Sequence, residues 1–222
     1  MSIGAVVAEP LTAHHMGNRK QQRMQVRTLL ELVGLPESVE ERYPRQLSGG
    51  QLQRVAIARA LALDPAMIVC DEPVSSLDVS IQAQVINLLL DLQEKLSLSL
   101  LFISHDLAVV RQVSSRIAVM YLGRLVEIAM RDCILAEPLH PYTVALLSAA
   151  MPALPSSGTH VRSVILSGEP ADPANPPPGC HFHPRCPIAR ERCQTEDPAW
   201  LEASPNHWVA CHFAGELGLY TT

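Results

Sequence analysis

With 222 residues, 48% hydrophobic and 18% charged, the chain has the balance of a globular protein, enough for one domain or a domain with an appendage. A formal charge of −5 excludes a broad basic face for nucleic acid. No apolar run reaches the roughly 18–20 residues that span a bilayer; the longest, "VALLSAAMPAL" from Val144, is broken by Ser148 and Pro152.

From the N-terminus, "MSIGAVVAEPL" lacks a basic start and carries Glu9, so it does not read as a secretory signal, and a cytoplasmic chain is expected. Residues 20 to 33, "KQQRMQVRTLLELV", have the spacing of an amphipathic helix stopped by Gly34 and Pro36. "AMIVC" (66–70) is a short apolar run, expected as a buried parallel strand. Ile81, Val85, Leu88, Leu89, Leu92 and Leu96 then fall on one face of a helix. "LSLLFIS" (98–104) reads as the next buried strand, and "RIAVMYLGRLVEI" (116–128) as two strands folded about Leu122–Gly123. Up to about Arg131 this alternation is that of an α/β domain.

Beyond that point the composition shifts. Nine of the 18 prolines fall within residues 152 to 187 and periodicity fades, so an irregular tail with little core is expected. Cys180, Cys186, Cys193 and Cys211 lie within or just beyond it, spaced more widely than the close pairs of structural zinc sites. Four thiols in such a tail suit an iron–sulfur cluster or a tetrahedral metal. Spacing alone leaves four free cysteines equally open. His181, His183, His207 and His212 are near enough in sequence to compete as zinc ligands. Cys70 and Cys133 fall outside the set, and Cys70 is expected to pack within its strand.

Three stretches carry candidate chemistry. In "RYPRQLSGGQLQRVAIARAL" (42–61), Ser48, Gly49 and Gly50 precede a helical pattern opened by Gln51. A helix start offers unpaired N–H groups and a positive dipole to a phosphate, and glycines let the backbone come close. Taken alone, "SGG" is as well explained by an N-cap serine and a turn. In "MIVCDEP" (67–73) an apolar strand ends in two adjacent carboxylates, Asp71 and Glu72. One of them can reach a Mg²⁺ while the other faces an attacking water. In "FISHD", His105 follows another apolar strand, where an α/β sheet gathers its ligands.

In this order and spacing, the stretches resemble the ATPase subunits of ABC transporters. "LSGGQ" (47–51) matches the family signature, "MIVCDEP" its Walker B strand, "SSLD" (75–78) its D-loop and "SH" (104–105) its switch histidine. The resemblance implies that Asp71 holds Mg²⁺ through water, Glu72 is the general base and His105 contacts the γ-phosphate. It also implies that Asp78 organises a dimer interface, and that Ser48, Gly49, Gly50 and Gln51 grip the ATP held by the opposite subunit. Further on, "EPLHPYTVALLSA" (137–149), "NPPPGCHFHPRCPIARERC" (175–193) and "HWVAC" (207–211) look like the C-terminal extension of oligopeptide and dipeptide transporter ATPases. There the cysteines are matched to a [4Fe–4S] cluster, with Zn²⁺ as the alternative.

The family's P-loop, Gly-x-x-x-x-Gly-Lys-Ser/Thr, has no match. The two lysines, Lys20 and Lys95, follow Arg19 and Glu94 and cannot belong to it. Residues 1 to 11 resemble the stretch just after the family's glutamine loop, so the resemblance begins partway into the domain and leaves open whether Met1 is the true start. The expected architecture is a partial ABC ATPase domain over residues 1–132, with a mostly parallel sheet and a helical signature region. An irregular Cys-rich extension over residues 133–222 completes it. The expected function is the ATP-hydrolysing subunit of a peptide importer at the cytoplasmic face of the membrane. Its expected partners are a second ATPase subunit, a heterodimer being preferred, and transmembrane permease subunits. These 222 residues by themselves are expected not to hydrolyse ATP; the alternative is a non-catalytic remnant that donates a signature or binds metal.

Overall fold

Ile3, Val7 and Leu11 recur every fourth residue, so a helix places them on one stripe, and all three are fully buried. They belong to α1 (Ile3–Ala13), opened by Ser2, whose hydroxyl accepts from Ala5 N. The sequence reading passed over this helix, which carries Pro10, a residue that ordinarily argues against a helix interior. The computed structural model describes residues 1–75, 77–150, 160–161, 164–169 and 171–221. Ser76 of "SSLD", the end of "VALLSAAMPAL" and part of the proline-rich segment lie outside the described residues.

The chain folds into two compact units, Met1–His105 and Asp106–Thr222. In the first, α2 (Arg19–Leu32) starts at a capping box of Asn18 and Gln21 and gives way to Gly34 at φ +71°. Val26, Leu29 and Leu30 bury its apolar face. α3 (Gly49–Ala60) packs against both α1 and α2. Arg54 on α3 donates to the Val33 carbonyl at 2.7 Å, satisfying an acceptor at the end of α2. β1 (Met67–Asp71), α4 (Val79–Leu96) and β2 (Ser99–Ile103) complete the unit. β1 and β2 pair in parallel, from Met67 opposite Ser99 to Asp71 opposite Ile103.

The two strands were expected to be buried on both faces, and this is corrected. Ile68 and Cys70 are buried, but Met67, Val69, Leu101 and Ile103 are each 46–56% exposed. Side chains alternate along a strand, and the described part of this unit layers only one face of the pair.

The second unit is built of α5 (Leu107–Val113), β3 (Arg116–Tyr121), β4 (Arg124–Met130), α6 (Arg131–Ala136), α7 (Pro141–Ala150), β5 (His160–Val161), α8 (Glu191–Thr195), β6 (Leu201–Ser204), β7 (His207–Val209) and β8 (Tyr220–Thr221). The expected hairpin forms about Leu122 and Gly123, at φ 44° and 75°, the pair of left-handed residues that a tight hairpin turn needs. It belongs to a four-stranded sheet of order β3-β4-β7-β6, whose pairings are all antiparallel. β5 and β8 pair antiparallel as well. The sheet expected to be mostly parallel is therefore parallel only at β1–β2 among the described residues. The extension is more ordered at its two ends than an irregular tail, through α6, α7, α8, β6 and β7, while among the described residues from 164 to 190 the only helical turn is His183–Arg185.

The units divide upstream of the 132/133 boundary drawn from sequence. The reason lies in Glu127 on β4, which is fully buried. Its carboxylate accepts from Leu139 N at 2.7 Å, His140 N at 2.9 Å and His207 Nε2 at 2.7 Å. One side chain thus ties β4 to β7 and to the segment entering α7, and it satisfies donors that would otherwise be buried unpaired. Around it, Tyr121, Tyr142, Phe182 and His140 form an aromatic cluster with ring centres 4.8–5.6 Å apart.

Candidate nucleotide site and cysteine cluster

Ser48 stands at the N-cap of α3. Its Oγ accepts from Gln51 N at 3.3 Å, and the Gln51 Oε1 accepts from Ser48 N at 3.1 Å. This capping box satisfies two backbone donors, Gln51 N and Ser48 N. Ser48 and Gly49 are exposed, so the remaining N–H groups of the first turn face a phosphate-sized partner without obstruction. Both glycines are also closely packed from inside the fold, Gly50 the more tightly. A Cβ on Gly50 would lie 2.6 Å from Ile81 Cγ2, and one on Gly49 would lie 3.2 Å from Leu77 Cδ2. At Gly50 the signature helix lies so close to Ile81 on α4 that a side chain there requires a shift, whereas at Gly49 a few tenths of an ångström from Leu77 would suffice.

Asp71 closes β1 with its carboxylate exposed, an oxygen donor suited to a hard cation such as Mg²⁺. Glu72 then leaves the strand at φ 48°, a left-handed conformation that a non-glycine residue adopts only where its surroundings enforce it. Glu72 N donates to Ile103 O at 3.0 Å, while the Glu72 carbonyl accepts from Ser75 Oγ at 3.1 Å. The kink turns Glu72 away from Asp71 and towards the neighbouring strand. There its Oε1 lies 2.8 Å from His105 Nδ1. The hydrogen bond from His105 holds the Glu72 carboxyl below the usual carboxylate range, burial opposing it weakly. The parallel register of β1 and β2 makes this meeting possible, because it carries both strand ends to the same edge.

Asp78 begins α4 without capping it through its side chain. Its exposed carboxylate points away from the work of its own helix, while Gln82 Nε2 holds the preceding turn by donating to Val74 O at 3.0 Å.

In the second unit the four late cysteines are free thiols. Gly179, at φ 64°, lets the chain pass so close to Cys193 O that a Cβ there would sit 2.5 Å from it, and Cys180 N donates to that same carbonyl at 2.9 Å. Cys180 and Cys193 are buried in one apolar cluster, with Cys186 packed against it. Burial, helped by the neighbouring cysteines, raises the Cys186 thiol to about 11 and the Cys211 thiol to about 12. The four sulfurs are thus within electrostatic reach of one another. Among the described residues, however, no three His, Cys, Asp or Glu side chains are gathered closely enough to hold one metal ion. The donor set expected for a cluster shares a neighbourhood but does not form a ligand cage. His183 and His207 are engaged elsewhere, His183 Nδ1 with Cys180 O and His207 with Glu127.

The sequence reading missed Glu127 and the uncovered face of β1 and β2. A glutamate inside the apolar run "RLVEI" was the available signal for the first; alternation of exposure leaves no mark in a uniformly apolar strand.

Residues 2–75 match the family described as ABC transporter, and residues 126–193 match the C-terminal region of the oligopeptide/dipeptide transporter family. The chain is 50% identical over 212 residues to the oligopeptide transport ATP-binding protein AppF of Bacillus subtilis, covering 95% of this chain and 64% of that protein. It is also 50% identical to the oligopeptide transport ATP-binding protein OppF of Escherichia coli, of which it covers 63%. The chain thus spans less than two thirds of these relatives. Among solved structures, the ATP-binding cassette MJ0796, a post-hydrolysis dimer bound to ADP and Pi, matches 59% of this chain and 57% of its own at 32% identity and a TM-score of 0.52. An inward-facing metal-chelate type ABC transporter shares the fold over 66% of this chain and 57% of its own, at 24% identity and a TM-score of 0.58.

Proposed function

The chain belongs to the oligopeptide/dipeptide branch of the ABC-transporter ATP-binding subunits, and we propose that it serves ATP hydrolysis that energises peptide import. The observation that carries this reading is the Glu72–His105 pair, 2.8 Å apart at the joined ends of β1 and β2. In the proposed chemistry Glu72, kept ionised by His105, takes the proton of the attacking water. His105 then faces the γ-phosphate, and Asp71 is the ligand of Mg²⁺. Bound there, Mg²⁺ would offset phosphate charge. Ser48, Gly49, Gly50 and Gln51 grip the ATP of an opposing subunit through the open end of α3, and Asp78 lies at that dimer seam. Residues 1–132 act as the partial ATPase domain and 133–222 as the extension.

Peptide as the cargo, a second ATPase subunit (preferably a different chain), permease subunits and a place at the cytoplasmic face of the membrane all belong to this proposal. Among the described residues no helix is long and apolar enough to cross a membrane. The uncovered Met67, Val69, Leu101 and Ile103 face supports a further element: a strand and helix carrying the P-loop covers it. These 222 residues contain no P-loop. We therefore expect them to show no ATP turnover alone, and to raise the turnover of a family subunit that has one. In that mixture Ser48→Arg abolishes the stimulation and Glu72→Gln leaves it unchanged, because the composite site uses the other subunit's carboxylates. Ordinary turnover by the chain alone, abolished by Glu72→Gln, would sink this reading. No stimulation at all would favour a non-catalytic remnant.

Cys180, Cys186, Cys193 and Cys211 are proposed as ligands of a [4Fe–4S] cluster, with Zn²⁺ as the alternative, stapling a segment poor in core. Either would have to draw the thiols together and displace their protons, so affinity should rise with pH. Iron, sulfide and zinc analysis of the purified chain checks it: a content well below one equivalent of cluster or zinc at pH 8 removes this assignment.

A further inference from the structure

We propose that the second unit binds a small zwitterion with an aromatic or large aliphatic side chain, a free amino acid or a short peptide. The site is a cavity of about 410 Å³ walled by Tyr121, Phe182 and Trp200 and edged by the Arg124–Asp197 ion pair. This inference does not rest on the ATPase reading, because the cavity lies wholly within the second unit.

The cavity has a dry floor and a charged edge. Tyr121, Val126, His140, Cys180 and Phe182 line it and are all buried, which makes an apolar, aromatic floor. Phe182 meets Tyr121 edge-on at 5.2 Å, so the walls are held by their own packing before any ligand arrives. Its volume falls in the ordinary range of small-molecule sites, roughly 300–1,000 Å³. That is room for an amino acid or dipeptide side chain.

Two polar atoms in these walls are left over. The Tyr121 hydroxyl, on a residue only 6% exposed, and His181 Nδ1 are buried without a hydrogen-bond partner. Folded proteins seldom leave such atoms unpaired. Neither presents open surface to the cavity, so a ligand carbonyl, amide or hydroxyl pairs with them only where the wall yields to it. The edge supplies the other half of the recognition. Arg124 and Asp197 are about half exposed and paired with each other. An exposed pair of this kind contributes little to stability. Exchanging it for the ligand's own carboxylate and ammonium therefore loses little, while Arg124 gains a partner suited to two parallel hydrogen bonds. Opposite charges side by side above an apolar floor match the ends of an amino acid rather than a plain anion, cation or hydrocarbon.

The test is calorimetry or ligand-observed NMR on the 222-residue chain, with L-phenylalanine and L-leucyl-L-phenylalanine as probes. N-acetyl-L-phenylalaninamide keeps the side chain without the charges, and glycine keeps the charges without the side chain. At least one zwitterion should saturate the site, about tenfold or more tighter than either control, and the tighter of the two tells free amino acid from peptide. Asp197→Asn and Arg124→Gln, conservative changes at exposed positions, should each weaken it about tenfold, and Tyr121→Phe about threefold, with circular dichroism unchanged. Absence of saturation by both zwitterions overturns the proposal. So does equal binding of the uncharged derivative, or undiminished binding by both edge variants.

Discussion

The two units solve the problem of burying a sheet in different ways. In Met1–His105 the helices α1, α2 and α3 pack on one another around fully buried Ile3, Val7, Leu11 and Leu30, yet β1 and β2 keep four apolar side chains in the open. In Asp106–Thr222 the core is smaller and more polar: Glu127 knits three segments together, and an aromatic cluster packs within it. Its sheet also keeps Met120, Leu125, Met130 and Leu201 exposed, so the difference between the units lies in what holds them, aliphatic helix packing in the first and a buried polar knot in the second. The lesson is that apolar content does not measure completeness. The unit richer in buried aliphatics still leaves one face of its strand pair uncovered, while the second unit is tied across 80 residues by one buried carboxylate.

That contrast can be broken first at Glu127. Glu127→Ala leaves two buried donors and one half-buried donor unpaired, so the second unit should lose about 3–5 kcal/mol, seen as loss of near-ultraviolet circular dichroism and a low-temperature transition. Helical signal from α1 to α4 should persist. Loss of both units together would show that the first cannot stand without the second.

Acid should produce the next largest effect, again in the second unit. Burial lowers His140 to about 3, and its Nδ1 accepts from Tyr142 N at 3.0 Å, a role only the unprotonated nitrogen can play. The folded state therefore binds fewer protons than the unfolded one between pH 6.5 and 3. Stability from His140 is present above 6.5 and is lost as pH falls towards 3. A decline on the order of 2–3 kcal/mol between pH 6.5 and 4.5 is expected, and His140→Asn should flatten it. A Tm profile of the second unit that is unchanged by the substitution would remove His140 as the cause.

The smallest effect sharpens the account of the first unit. Gly50→Ala places a methyl group on Ile81 Cγ2, and overpacking of this kind typically costs about 1–3 kcal/mol. Ile81→Ala should restore much of that in the double variant. If it does not, Gly50 is required by the helix backbone or by its ligand, not by the α3–α4 contact.

Much of the site was legible in the sequence. "LSGGQ", "CDEP", "SLD" and "SH" carry their residue types at fixed distances, and Ser48, Asp71, Glu72 and His105 are found where short-range rules put them: at a helix cap and at strand ends. The end of α2, the apolar face of α4 and the Leu122–Gly123 hairpin also follow from local pattern, because periodicity and left-handed turns are decided within a few residues. What the sequence could not decide depends on segments far apart in the chain. That Glu72 kinks to meet His105 needs β1 and β2 in register across 33 residues. That Gly50 is reserved for Ile81, that Glu127 finds His207 80 residues on, and that one face of β1 and β2 is left bare are likewise set by packing. Local propensity is encoded residue by residue, whereas close approach, buried pairing and exposure exist only once distant segments share one space.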